Sequence, residues 1–435
     1  MTSIDLKTND IKNKIPKSLT ILANEFSEKG AKLYIVGGFC RNHFLNISSS
    51  DIDICSSLQY DKVKQICSKL NYDCIEINKK LGTMLITSGS DRYEYTTFRK
   101  ENYPKGGYHA PNEIEFVEDL LVDAKRRDFT VNSIYYDVLA DEFVDPYNGI
   151  NDVYRRIIRC VETPEFVFSS DGLRLLRMIK FSNQLGFKIH AKTLKVAKEQ
   201  GYLLKDISAE RIAKELGEIV VADYKYEKSK LKVINQFNKL DFLRHVFILN
   251  YSFKIKNNVY LRKFIDSDKE FRYEAFLMLV LLNYLNFSYT AINNLVFVVN
   301  RLFGNDGIKC GIDLKKLIKM YDFIQKYLFC PHTQMLYAEY HNLKGDEKNI
   351  VNIFCDKVYL SKGVLALKNF NIPLNERALK ISNETLVGIV SNKNISKIRE
   401  QLFLECFCGV LTNEEKNLAD RAIEINNYLN KNKTT

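Results

Sequence analysis

The triplet Asp51-Ile52-Asp53 sets two carboxylates two residues apart. On a β-strand, residues i and i+2 point to the same side, so both acids face one way. Two carboxylates a few ångströms apart repel until a cation neutralises them. A hard divalent ion with oxygen ligands suits such a place, and Mg2+ shared with substrate phosphates is the common solution. A lone acidic triplet is more often a surface turn or a cap, so its neighbours decide the reading. Gly37-Gly38 stands fourteen residues upstream of Asp51. Paired glycines between a strand and a helix let backbone N–H groups approach phosphate oxygens. Arg41, one turn further on, can reach the same anion. Glu94, in the β-rich run Arg92 to Phe98, is a candidate third carboxylate, for the metals or to activate an attacking hydroxyl.

Two later segments extend the constellation. Arg126-Arg127-Asp128-Phe129-Thr130-Val131-Asn132 gathers cations, a carboxylate and an amide within seven residues. Such a group can hold a triphosphate and hydrogen-bond a ribose hydroxyl. Asp171 and Arg174 are three apart in a helical pattern, hence on one face, with an acceptor and a donor that could read a base edge. A bare pair at this spacing is usually a surface salt bridge.

These side chains need a frame. Ile15, Leu19, Leu22 and Phe26, with Pro16 near the start and Gly30 after the end, predict a first helix. Leu33 to Val36 predicts a short buried strand and Phe39 to Leu45 a second helix. Ile52 and Ile54 alternate with the two aspartates on a second strand. Met84 to Thr87, Arg92 to Phe98 and Glu113 to Val117 are further strands. Beyond the turn-rich Asp145-Pro146-Tyr147-Asn148-Gly149 the pattern turns helical. Asp171 to Leu185, Ser208 to Val221, Phe271 to Asn286 and Leu314 to Phe329 are its clearest stretches. The expected fold class is therefore an α/β head, a small mixed β-sheet with helices, followed by an all-α remainder.

Composition narrows the class. A chain of 435 residues, 46% hydrophobic and 27% charged, matches a globular protein of several domains. The longest apolar run, Ala275 to Leu282, has eight residues, where a membrane span needs about 20. The N-terminal MTSIDLKTND lacks the basic-then-apolar order of a secretory signal, so the expected location is cytoplasmic, with no membrane partner. Ten cysteines without a CxxC pair argue against structural zinc, and six histidines without a His-Asp dipeptide argue against an appended metal-dependent phosphohydrolase. Residues 1–150 carry 19 Lys+Arg and 22 Asp+Glu, a net −3 within a chain total of +11, which leaves +14 for the rest. The acidic first third can hold cations while the basic remainder faces a polyanion. A lysine-rich surface kept for solubility explains the charge equally well.

Taken together, the segments resemble the class II tRNA nucleotidyltransferase family, the CCA-adding enzymes and bacterial poly(A) polymerases, in detail over roughly residues 32–220. Tyr34-Ile35-Val36-Gly37-Gly38-Phe39-Cys40-Arg41 followed by Asp51-Ile52-Asp53 resembles the first motif of the family, and Arg126 to Asn132 the second. Leu81-Gly82-Thr83 and Tyr95 to Arg99 are similar to the head strands between them. Asp145 to Gly149 with Asp152 resembles the head-to-neck connection. Asp171-Gly172-Leu173-Arg174, running into Arg177 and Phe181, resembles the base-reading motif, and Ser208-Ala209-Glu210-Arg211-Ile212 with Glu215-Leu216 the neck motif.

The resemblance implies an α/β head over 1–144, a helical neck over 145–220, a helical body over 221–330 and a helical tail over 331–435. It implies two Mg2+ ions on Asp51 and Asp53, with Glu94 in the third-carboxylate position. Gly37, Gly38 and Arg41 would sit against the triphosphate of CTP or ATP, and Arg127, Asp128 and Asn132 would handle phosphate and ribose. Asp171 and Arg174 would read the incoming base, Arg177 would belong to the same nucleotide-binding set, and Glu210 and Arg211 would brace that helix. The implied activity is template-independent addition of C, C and A to the tRNA acceptor end, with release of pyrophosphate. Partial CC- or A-addition, poly(A) tailing and an inactive RNA-binding protein on the same fold are the alternatives. The span from Arg99 to Pro111 is as long as the flexible loop of full CCA enzymes, which favours the complete reaction. Two positions depart from the pattern: Asn42 replaces an acidic residue, and Ser170 replaces a glutamate ahead of Asp171.

Overall fold

A computed structural model describes residues 11–49, 51–103, 112–221, 229–267, 270, 272–286, 290, 292–303, 313–330 and 333–431. The chain divides into two compact units, the first running to Lys254 and the second beginning at Ile255. The first holds the strands β1 (Tyr34–Val36), β2 (Ile52–Ser56), β3 (Asp73–Asn78), β4 (Thr83–Ser88), β5 (Asp91–Thr97), β6 (Arg99–Asn102), β7 (Glu113–Phe116), β8 (Tyr135–Asp137) and β9 (Glu142–Val144). Seven of them form one mixed sheet in the order β3-β4-β5-β2-β1-β8-β9, while β6 and β7 pair as a separate antiparallel ribbon. Its helices include α1 (Lys17–Glu28), α2 (Gly38–Phe44), α3 (Tyr60–Lys69), α4 (Leu120–Lys125), α5 (Gly149–Arg155), α6 (Pro164–Ser170), α7 (Leu173–Gln184), α8 (Ala191–Glu199) and α9 (Ala209–Val221).

The hydrophobic pattern explains the layers. Helix α1 buries Leu19, Leu22, Ala23 and Phe26, and the Phe26 ring packs 5.8 Å from Tyr95 of β5. On β2, Ile52 and Ile54 are buried while Asp53 between them faces out, as period-two alternation requires. A core of Tyr34, Val36, Cys55, Phe98, Ala124 and Tyr135 joins the sheet to α4. Strands β2 and β5 run parallel, so the chain between them must cross over, and α3, β3 and β4 supply that crossover. The parallel register sets Asp53 opposite Glu94, while the antiparallel β1 sets Val36 opposite Asp53.

The second unit is helical throughout its described residues. Its helix Arg272–Tyr284 is buried on nearly every face, as the uninterrupted apolar run requires. A separate cluster around Leu386, Ile398, Leu402, Leu418 and Ala422 forms a second core towards the C-terminus. No helix among the described residues is long and apolar enough to cross a membrane.

The expected fold class is found, with three local differences. The remainder is not purely helical, because Ile157–Ile158 pairs in parallel with Lys188–Ile189. The span from Arg99 is not loop from its start, since β6 occupies Arg99–Asn102; residues 104–111, on which the loop-length reading rests, lie outside the described residues. The helix expected from Asp171 starts two residues later. Helix α6 ends at Ser170, Asp171 is extended at φ −150° and ψ 105°, and α7 begins at Leu173. The Asp171 carboxylate accepts the Leu173 amide at 3.0 Å, so this aspartate starts α7 rather than riding on its face.

The join between α5 and the short helical turn Thr130–Asn132 leaves no room for a side chain. A Cβ on Gly149 would sit 2.1 Å from the Thr130 carbonyl oxygen. Replacing Gly149 by alanine should cost about 2–3 kcal/mol, the upper range for overpacking, since backbone must move. Denaturant unfolding should show a lower midpoint at unchanged slope; a wild-type midpoint would mean that the contact relaxes freely.

Candidate active site

A cavity of about 850 Å3 opens in the first unit. Gly37, Gly38, Arg41, Asp51, Asp53, Glu94, Arg127, Asp128, Asn132, Asp171, Arg174, Arg177 and Arg211 all line it. Of the expected site residues only Glu210 does not line the cavity; it is exposed in the first turn of α9. Segments scattered over 175 positions of sequence are thus brought to one concavity.

The acidic wall comes from the sheet. Asp53 projects from β2 beside Glu94 of β5, and Asp51 immediately precedes β2. Desolvation first, then the charges of Glu94 and Asp51, push the Asp53 carboxyl up to about 6, although Arg127 pulls the other way. Among the described residues no three His, Cys, Asp or Glu side chains close into a ready-made metal cage. An open set of carboxylate oxygens with excess negative charge suits a hard divalent cation that takes its remaining ligands from phosphate and water.

Gly37 lies at the C-terminal end of β1 with φ +80°, a conformation that glycine adopts without strain. A Cβ there would lie 3.8 Å from both Asp53 Oδ2 and the Asn132 carbonyl, so this turn touches both walls. Opposite the acids runs a buried polar chain. Arg41 Nη1 donates to Asn132 Oδ1 at 2.5 Å, Asn132 Nδ2 donates to Asp128 Oδ1 at 3.2 Å, and Arg177 Nε donates to Asp128 Oδ2 at 2.8 Å. Burial alone would raise the Asp128 carboxyl, but Arg177 and then Arg174 outweigh it and hold it below the usual range. Burial also lowers Arg41 to about 10, so its charge is retained at neutral pH. The Phe181 ring spaces these cations, with Arg41 5.5 Å, Arg177 5.1 Å and Lys180 5.2 Å from its centroid.

Three residues sit differently from their sequence reading. Arg127 lines the cavity, yet its Nε donates to Tyr135 Oη at 2.7 Å and its Nη2 to Asp123 Oδ2 at 3.0 Å. It is therefore held as a clamp to the core as well as facing the ligand space. Asp171 and Arg174 do not face one another as a helical pair. Asp171 accepts from Arg211 Nη2 at 3.1 Å, while Arg174 is buried and donates to Ser170 Oγ at 2.9 Å and to the Arg126 carbonyl at 2.5 Å.

The two departures acquire roles. Asn42 Oδ1 accepts from Arg41 Nε at 3.1 Å and Nη2 at 3.0 Å, and Ser170 supplies an acceptor to Arg174. Sequence reading missed Asp123, which is fully buried and takes Arg126, Arg127 and Tyr135 on one carboxylate. Arg126 and Arg127 outweigh burial and hold it down to about 2. Its i,i+3 and i,i+4 spacing to the two arginines was the available signal.

Comparison with known proteins follows the same map. Residues 33–159 match the family described as "Poly A polymerase head domain", and residues 186–227 match "Probable RNA and SrmB- binding site of polymerase A". The CCA-adding enzyme of Lactobacillus helveticus is 36% identical over 210 residues, 48% of this chain and 51% of that protein. The CCA-adding enzyme of Enterococcus faecalis is 37% identical over 204 residues, 45% of this chain and 49% of that protein. The matched region thus spans about half the length of these curated relatives. Among solved structures, the Bacillus stearothermophilus CCA-adding enzyme in complex with CTP has a TM-score of 0.59 at 18% identity, covering 95% of this chain and 98% of its own. The Thermotoga maritima CCA-adding enzyme complexed with tRNA has a TM-score of 0.60 at 18% identity, covering 94% and 96%. At that identity the likeness shows the fold, and it extends beyond the matched head. The similarity to that family is therefore carried by the head, residues 33–159, and by residues 186–227.

The acidic wall should also show in stability. An acid whose folded pKa, here about 6, lies above its ordinary 3.8 holds its proton more tightly when folded. Its contribution therefore turns against the fold as pH rises through that window and stays unfavourable above it. In metal-free buffer, Asp53→Asn should melt higher than wild type at neutral pH, with the gap closing towards pH 4. A variant that melts no higher at neutral pH would rule out the crowding of charge.

Proposed function

We propose that this protein is a CCA tRNA nucleotidyltransferase, adding C, C and A to a tRNA 3′ end from CTP and ATP with release of pyrophosphate. The observation that carries the reading is the convergence of Asp51, Asp53 and Glu94 with the Arg41-Asn132-Asp128-Arg177 chain and Asp171/Arg174 on one cavity. Solved CCA-adding enzymes of the same fold are in complex with CTP, ATP or tRNA, which supports the same substrates here.

Asp51 and Asp53 would hold two Mg2+ ions, with Glu94 beside them. Those ions, when bound, would lower the pKa of the attacking 3′-hydroxyl and neutralise the triphosphate. The protein supplies the rest by position. Gly37 and Gly38 let backbone N–H groups approach the triphosphate, and Arg41 and Arg177 offset its charge. Arg127 lies on the phosphate side, where its anchoring to Asp123 fixes the direction of its free edge. Asp128 and Asn132 are placed to accept and donate to ribose hydroxyls, favouring ribose over deoxyribose. Arg174 donates and Asp171 accepts at the base edge, so selection of C or A needs no nucleic-acid template. Arg211 fixes Asp171, and Glu210 stands beside it on α9. The division into head 1–144, neck 145–220, body 221–330 and tail 331–435 assigns the +14 outside the first 150 residues to the tRNA, whose phosphates attract it. A cytoplasmic enzyme would meet all three substrates.

The deciding experiment offers tRNA ending at the discriminator base, at C or at CC, with labelled CTP and ATP separately and together. Two C followed by one A, then arrest, is the expected result. Arrest after CC or addition of A alone would mean a partial enzyme, long A tails a poly(A) polymerase, and no incorporation an RNA-binding protein. Asp53→Ala should abolish incorporation while leaving tRNA binding within about twofold, because the basic surface supplies the affinity. Arg174→Ala should blur the choice between CTP and ATP more than it weakens metal dependence; an unchanged preference would count against the template role.

A further inference from the structure

Arg174 has five N–H donors, and three contacts fix its guanidinium. Nη1 donates to the Val167 carbonyl at 3.3 Å and to Ser170 Oγ at 2.9 Å, both from the helix just before it. Nη2 donates to the carbonyl of Arg126, 48 residues away, at 2.5 Å. The two local contacts tie it to α6, whereas the distant one ties it to the segment that begins at Arg126. What holds the Arg126 carbonyl therefore governs where the free edge of Arg174 points.

The Arg126 side chain is gripped from both ends. Its Nε and Nη2 reach Asp123 Oδ1 at 2.8 Å and 2.6 Å, and its Nη1 lies 3.6 Å from Glu101 Oε1. Glu101 projects from β6 with its side chain only 5% exposed, and Arg99 Nε donates to the same oxygen at 2.6 Å. The Tyr103 hydroxyl donates to its other oxygen, and Arg99 Nη1 is tied to the Leu81 carbonyl at 2.7 Å. Arg126 and Arg99 outweigh burial and keep the Glu101 carboxyl below its ordinary range, so it stays charged. Burial and Glu101 raise the Tyr103 phenol, which also lies in the field of Arg174 and Asp171. All six of Arg99, Glu101, Tyr103, Arg126, Asp171 and Arg174 line the one cavity.

We propose that Glu101, oriented by Tyr103, is a positioning residue that acts through Arg126 on Arg174 and so on the choice of incoming base. The inference rests on the template role of Arg174 given above. Glu101 touches no substrate in this scheme. Its buried anion holds the Arg126 side chain together with Asp123, and the peptide carbonyl of Arg126 follows.

The test uses Glu101→Gln, which keeps shape and removes charge, and Tyr103→Phe, which removes the hydroxyl alone. The readout is kcat/KM for CTP against UTP on tRNA ending at the discriminator base, since C and U exchange donor for acceptor at the base edge. Glu101→Gln should lower the CTP/UTP ratio roughly tenfold, less than the ~100-fold that a 1 Å misplacement can cost. Most of the loss should fall on KM for CTP, and Tyr103→Phe should move the ratio in the same direction by less. The double variant with Arg174→Ala should match Arg174→Ala alone, because both act through one guanidinium. Independent, multiplying effects would overturn the relay, as would a wild-type ratio in both single variants. Should Glu101→Gln lower the melting temperature, Tyr103→Phe decides on the same criterion. A wild type without any CTP-over-UTP preference would instead overturn the template reading itself.

Discussion

The parallel pairing of β2 with β5 forces like charges together, and much of the head follows from it. Register places Asp53 directly across from Glu94, with Asp51 one residue before the strand. Among the described residues no cation is bonded to Asp53; Arg127, whose field reaches it, is tied to Asp123 and Tyr135 instead. A fold selected for stability alone would exchange one of these acids for a neutral residue. Keeping them separated from the nearby arginines leaves the charge available to an added ligand. That arrangement is the mark of a functional site rather than of a structural ion-pair network.

The arginines would collapse onto those acids if they were free to swing. Asp123 prevents this by taking Arg126 and Arg127 together, with Tyr135 as a third partner, in a fully buried carboxylate. Burying such a charge is costly unless its partners are well placed, and here three are. The arginines therefore stand as fixed positive walls, much as Arg177 does on Asp128. Electrostatic preorganisation is worth most when the dipoles and charges need no rearrangement during the reaction.

Elements governed by local pattern were legible in the sequence. Alternation around Asp51 and Asp53 placed β2, and the four-three-four spacing of Ile15 to Phe26 placed α1 within two residues. Convergence of the motifs on one cavity was legible only through resemblance, since nothing local says that Arg177 meets Asp128 49 residues earlier. The start of α7 was read two residues early, because Asp171 and Arg174 fit the spacing of one helix face. Side-chain capping of the Leu173 amide competes with helix propagation at that point, and it wins. Asp123 was missed for a different reason. A charged residue in an amphipathic helix looks like its solvent face, and burial there depends on partners that only the folded chain supplies.

The two departures from the family pattern show how the site tolerates change. At position 42 an acid would bring a second full charge to Arg41, which already meets Asp128 through Asn132. An amide carbonyl keeps both contacts to Arg41 and leaves its positive charge less compensated. At position 170 a buried glutamate facing Arg174 would form an ion pair; a hydroxyl gives the same guanidinium a neutral acceptor. Both substitutions act in one direction, since each keeps the geometry of an arginine while releasing its charge. A pocket that holds a tetra-anionic triphosphate, as proposed above, would gain from that release. The loss falls on rigidity, which the Arg126 carbonyl and the Asp128 chain restore from more distant parts of the sequence.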